Sequence, residues 1–151
     1  DRIALAGWSH GGWTVLEALD DAGRNSAPEA LSIGDGQTPD LGGVRSAMTL
    51  YPYCGFPMRS DGRGYAREIP LHAILAENDM IAPPGDCERL FERSDVAGHR
   101  VDFQVWPGLT HAFDEPNPPA DPRINFDIDA ADQARRDWLE ILSLELAPQG
   151  A

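Results

Sequence analysis

Hydrophobic positions in this chain fall in four short runs, separated by polar or helix-patterned stretches: Ile3–Ala6, Arg45–Tyr51, Leu71–Ala76 and Val101–Trp106. Strands alternating with helices predict a parallel sheet with helices on its faces, a three-layer αβα architecture of about four mostly parallel strands. The first run is apolar throughout, as in a strand covered on both faces. The last alternates, with Val101, Phe103 and Val105 on one side and Asp102 and Gln104 on the other. A strand so patterned is half exposed and belongs at a sheet edge.

Three helices are predicted between and after the runs. His10–Ala22 carries Trp13, Leu16 and Leu19 at helical spacing and meets Gly23 as its stop. Pro84–Ala97 starts on a proline suited to a first turn, buries Cys87, Leu90 and Phe91, and ends at Gly98. Asp129–Leu146 presents Ala134, Trp138, Ile141, Leu142 and Leu146 on one stripe, with Asp129 and Asp132 as a capping-type pair. Residues 23–43, 55–67 and 114–127 read as loops.

Composition narrows the partners. The 151 residues carry a formal net charge of -13 with histidine counted neutral, and there is no lysine, so every cationic side chain in that count is arginine. A surface this acidic repels phosphate backbones and anionic membranes, so neither nucleic acid nor a membrane is an expected partner. At 42% hydrophobic residues the chain has the material for one ordered domain. No run approaches the roughly 20 apolar residues that span a bilayer. The front, Asp1-Arg2, carries no basic-then-apolar leader, and cytoplasm and periplasm both stay open. Two cysteines, Cys54 and Cys87, are too few for a disulfide framework and read as free buried thiols, although a bridge between neighbouring strand ends is geometrically conceivable.

The candidate chemistry sits where the first run ends. Gly7-Trp8-Ser9-His10-Gly11 fits G-x-S-x-G between a strand and a helix, the nucleophile elbow. Small residues at Gly7 and Gly11 permit the strained turn that lifts a serine hydroxyl above the sheet end. The helix that follows aims its first N–H groups at the same spot, so the backbone N–H of His10 is the expected oxyanion donor.

A serine hydroxyl needs an imidazole, and the imidazole a carboxylate. In this fold their order is serine, acid, histidine, each at the C-terminal end of a strand. Of the four histidines, His10 lies along the helix, His72 falls within a strand, and His99 precedes the last strand at the wrong end. His111 follows that strand at the correct end and is the expected base. Asp79, in Glu77-Asn78-Asp79 after the third strand, is the expected acid. Glu77 is its competitor, with pairing to an arginine as its structural alternative; Asp86 is inside a helix and Asp114 follows the base too closely.

With Ser9, Asp79 and His111 in place, the chain resembles the C-terminal half of the dienelactone hydrolase family within the α/β-hydrolase superfamily. GWSHGG at the elbow, LYPYC after the second strand, LAENDMIAPPGDC around the acid and WPGLTHAFD around the base carry the resemblance from Ile3 to about Asp114. Founding members of that family use a cysteine nucleophile where this chain has Ser9. The resemblance therefore implies a serine hydrolase of small carboxylic esters or lactones, with no cofactor. It also implies that the domain starts here at the elbow strand, with upstream strands and a second oxyanion donor missing. Ile3–Ala6 would then be left as an exposed apolar edge, and residues 1–151 alone would be inactive or nearly so. A serine peptidase or acyltransferase on the same three residues, and a non-catalytic binding domain of this fold, are the rival readings. Peptidases of the prolyl-oligopeptidase type are also similar at the elbow.

Two further expectations follow from the residues. The acidic run Asn125–Asp129 lacks the glycine and the terminal glutamate of a calcium loop and reads as helix capping; there is no zinc spacing and no metal site is expected. Trp13, Tyr53, Phe56, Tyr65 and Phe113 lie on or near segments that should border a cleft and could shape an apolar acyl or aryl pocket, although ordinary core packing explains Trp13 equally well.

Overall fold

In the computed structural model, which describes residues 2–24, 40–59 and 65–148, each apolar run forms a strand. The elements are β1 (Ile3–Trp8), α1 (His10–Arg24), β2 (Val44–Leu50), β3 (Leu71–Ala76), α2 (Pro84–Val96), β4 (Val101–Trp106) and α3 (Ile128–Glu145). The strands pair in parallel in the order β1-β2-β3-β4. Because the sheet grows in one direction with right-handed crossovers, α1 and α2 fall on the same face. α3 returns from the β4 edge to cover β2 from the other face.

The pleat divides the buried residues between two cores. Ala47, Leu71, Ala73 and Leu75 meet Leu16 and Leu19 of α1 and Cys87, Leu90 and Phe91 of α2. The alternate positions Leu50, Ile74 and Ala76 meet Phe113 and Ala134 of α3. This is the side-chain alternation of strands covered on both faces, and it holds fully for β2 and β3. β4 is an edge, with Asp102 and Gln104 exposed as its alternation predicts. β1 is the opposite edge, the exposed apolar edge expected of Ile3–Ala6: Ile3 is 45% and Trp8 44% exposed, while Leu5 turns into the α1 core and Trp8 stacks on Trp138 of α3.

Helix ends depart from the sequence pattern where side chains outcompete it. α1 runs through Gly23 to Arg24, whose guanidinium meets buried Asp20 one turn earlier at 2.6 Å and secures the last turn. α2 does stop before Gly98, which takes the left-handed conformation (φ 87°). α3 is capped by Asp127, whose carboxylate accepts the Ala130 N–H at 2.9 Å; Asp129 lies in the first turn and Asp132 pairs with Arg135. Most of the loop expected over 23–43, and residues 60–64 of the next, lie outside the described residues.

Cys54 and Cys87 are bridged, not free. Cys54 lies on the loop after β2, and Cys87 in the first turn of the helix after β3. Neighbouring parallel strands bring both above the same sheet end, with Cα atoms 5.1 Å apart, inside the range of about 4.4–6.8 Å that a disulfide needs. Among the described residues no helix is long and apolar enough to cross a membrane.

Candidate active site

The turn at Ser9 is built by backbone crowding. Ser9 has φ 51°, in the left-handed region that costs an L-residue energy. Its N–H donates to Leu50 O at 3.0 Å, and its carbonyl accepts from Trp13 N–H (3.1 Å) and Tyr53 N–H (3.3 Å). A Cβ added to Gly7 would lie 2.2 Å from Gly11 O and 2.6 Å from Gly12 N, and one on Gly12 would lie 2.7 Å from the Pro52 side chain. One on Gly11 would meet nothing within 4 Å. Gly7 and Gly12 are thus the glycines the elbow requires, Gly7 against backbone and Gly12 against the Pro52 ring; Gly11 matters through its backbone, not through a missing side chain. Gly7→Ala is expected to destabilise the full-length protein by about 3 kcal/mol, since main-chain atoms cannot yield as side chains do. Gly11→Ala should be neutral or stabilising by up to about 1 kcal/mol, from helix propensity. Urea unfolding of both variants checks the contrast.

Ser9, His111 and Asp79 meet above the C-terminal end of the sheet. Ser9 Oγ lies 2.9 Å from His111 Nε2, and His111 Nδ1 lies 2.7 Å from Asp79 Oδ2. Asp79 is 4% and His111 6% exposed. The other Asp79 oxygen accepts the N–H groups of Ile81 (2.8 Å) and Ala82 (2.7 Å). With a carboxylate at Nδ1, the ring carries its proton there and presents a lone pair to Ser9 at Nε2. Such an arrangement can take the hydroxyl proton while the carboxylate holds the ring that becomes cationic.

The other candidates separate cleanly. His10 opens α1, where the first N–H groups have no intrahelical partner. Its exposed ring lies against Tyr53 and Trp13, with centroids 6.3 and 6.0 Å away. His72 faces Asp102 and Glu145 beneath α3, and His99 is buried edge-on to Tyr65 at the far end of β4. Among the described residues Glu77 pairs with no arginine: its carboxylate accepts the Gly108 N–H at 2.8 Å and steadies the turn before His111. Of the aromatic residues expected around a cleft, Trp13 and Tyr53 stand beside the elbow and Phe56 is 92% exposed. Tyr65 and Phe113 are core residues. Among the described residues no group of three or more His, Cys, Asp or Glu side chains could hold a metal.

Sequence reading did not point to the surroundings of His111. Tyr51, at φ 37°, packs its ring edge-on to the imidazole at 4.8 Å and hydrogen-bonds Asp114. Burial, and then that hydrogen bond, push the Tyr51 phenol well above the usual tyrosine range, so it stays protonated. The three non-glycine residues with positive φ among the described residues are Ser9, Tyr51 and Ala112, all in or against this cluster. Backbone strain concentrated in this way is a mark of functional sites. Both Tyr51 and Asp114 lie in the motifs LYPYC and HAFD; the contact between them has no local signature.

Residues 39–145 match the sequence model of the dienelactone hydrolase family, a span that includes Asp79 and His111 and begins after Ser9. No curated protein matches. Three solved structures share the α/β-hydrolase fold. A carboxylesterase from Lactobacillus plantarum superposes with TM-score 0.61 and 20% identity, over 98% of this chain and 61% of its own. Esterase 2 of Thermogutta terrifontis, phosphoramylated by tabun, gives 0.57 and 17%, over 97% of this chain and 57% of its own. A puromycin-hydrolyzing peptidase from Mycobacterium tuberculosis gives 0.63 and 15%, over 99% of this chain and 23% of its own. The chain thus spans about three-fifths or less of the length of these proteins.

Proposed function

The chain belongs to the dienelactone hydrolase family, and from that membership we propose that it is a serine hydrolase that cleaves a small carboxylic ester or lactone. Ser9 Oγ attacks the carbonyl carbon while His111 Nε2 takes its proton. Asp79 keeps the ring in the tautomer that can accept and stabilises the cation that results. The negative oxygen of the tetrahedral intermediate is met by the His10 N–H at the start of α1. The leaving alkoxide takes the proton back from His111, and water repeats the sequence on the acyl-enzyme. The second oxyanion donor is assigned to a segment outside these 151 residues, so residues 1–151 alone are expected to be nearly inactive.

One observation carries the proposal: the unbroken line from Ser9 Oγ to His111 to Asp79, at 2.9 and 2.7 Å, which begins on a residue held in a costly backbone conformation. A core histidine or an incidental loop serine would give no reason for that strain. The dienelactone hydrolase family match and the similarity to a carboxylesterase support ester cleavage, and the similarity to a peptidase makes an amide the rival substrate. The full-length protein is expected to turn over p-nitrophenyl acetate far faster than aminoacyl p-nitroanilides. The opposite preference would support a peptidase on the same three residues. A folded protein that hydrolyses neither would contradict the proposal.

A further inference from the structure

We infer that Asp114 and Tyr51 form a positioning clasp that sets the reach between Ser9 and His111; this role rests on the serine-hydrolase reading. Asp114 lies three residues beyond His111 and is bonded through both carboxylate oxygens. Tyr51 Oη donates to Oδ1 at 2.5 Å, and Trp8 Nε1–H donates to Oδ2 at 2.9 Å. Trp8 ends β1 directly before Ser9, and Tyr51 directly follows β2. One carboxylate therefore ties together the nucleophile strand, its neighbour and the loop of the base.

The two halves of the Ser9–His111–Asp79 line are held differently. The Asp79 half is stitched by backbone N–H donors: Asn78 N–H to Leu109 O at 2.8 Å, Gly108 N–H to the Glu77 carboxylate at 2.8 Å, and the Ile81 and Ala82 N–H groups to Asp79 Oδ1. The Ser9 half reaches from β1 at one sheet edge to the loop after β4 at the other, across β2 and β3. Among the described residues, the side-chain bonds joining the end of β1 to that loop are Ser9–His111 and Trp8–Asp114. Without the second, Ser9–His111 would be the one side-chain bond left between those two ends among the described residues.

The clasp also fixes the plane of the imidazole. The Tyr51 ring stands edge-on to His111 at 4.8 Å and to Phe113 at 5.6 Å. Tyr51 cannot swing away easily, because its N–H is bound to Ile74 O at 2.7 Å and its phenol, kept protonated, is bound to Asp114. Trp8 is held in turn by stacking on Trp138 of α3, with centroids 5.7 Å apart and planes at 14°. Tyr51 and Ala112, the residues packed against and directly after His111, both take positive φ.

The test is steady-state kinetics of the full-length protein on p-nitrophenyl acetate, with Ser9→Ala as control. Asp114→Ala is expected to lower kcat about 100-fold with KM little changed, the pattern of a misplaced reacting pair. Tyr51→Phe keeps the ring and removes one bond, so its loss should be smaller. The Tyr51→Phe/Asp114→Ala double variant should be no slower than Asp114→Ala alone, because both remove the same link. Asp114→Asn, which keeps one acceptor, should recover part of the activity. Wild-type kcat in Asp114→Ala and Tyr51→Phe, additive losses, or a rise in KM at constant kcat would each overturn the clasp while the serine reading stands. Undiminished turnover in Ser9→Ala would instead sink the reading beneath it.

Discussion

Ser9→Ala is expected to lower ester turnover by about 10⁶-fold in the full-length protein and to leave the fold intact. Alanine removes the attacking atom and little else. The residue keeps its Cβ, its N–H to Leu50 O and its carbonyl bonds from Trp13 and Tyr53, and it inherits the same positive φ. His111 Nε2 loses one partner, but Asp79 still holds the other ring nitrogen. The residual rate above water would come from the oxyanion donor and substrate binding. Circular dichroism and steady-state kinetics on the same sample check both halves, and a variant that keeps most of its turnover contradicts the assignment.

Asp79→Asn should cost about 10⁴-fold in kcat, for a reason specific to the bonds around it. Asp79 Oδ1 accepts two backbone N–H groups, from Ile81 and Ala82. An asparagine amide must keep its oxygen there, because two donors cannot face an NH2 group. Its NH2 then points at His111 Nδ1 and forces that nitrogen to accept. The ring proton moves to Nε2, where it faces Ser9 and blocks the transfer the reaction needs. KM should change little and the thermal midpoint only modestly. A variant within about 10-fold of wild type would show that tautomer control is not what Asp79 supplies.

Local rules carried much of this structure. A continuous apolar run, a glycine-framed serine and an amphipathic stretch place Ser9 on a strand–helix turn, and the rule of strand ends picks His111 over His72 and His99. What the sequence could not yield are contacts that depend on the sheet's three-dimensional arrangement. Trp8 and Asp114 are 106 residues apart, Tyr51 and Asp114 63, and no periodicity links such positions. The Cys54–Cys87 bridge depends on two loops rising over adjacent strand ends, which cysteine count alone does not report. Gly11 shows the opposite limit: a motif marks it as equivalent to Gly7, yet only Gly7 faces a backbone too close for a Cβ. Capping by Asp127 in place of Asp129 is a smaller case, since several acidic residues in one run satisfy the same local preference.

The most direct measurement is covalent labelling. The full-length protein is treated with a fluorophosphonate, and the modified residue is located by tandem mass spectrometry of its peptides. One adduct on Ser9, formed in step with loss of ester hydrolysis and strongly slowed by His111→Ala, is the predicted result. Folded protein that takes no label, or takes it on a residue other than Ser9, contradicts the account.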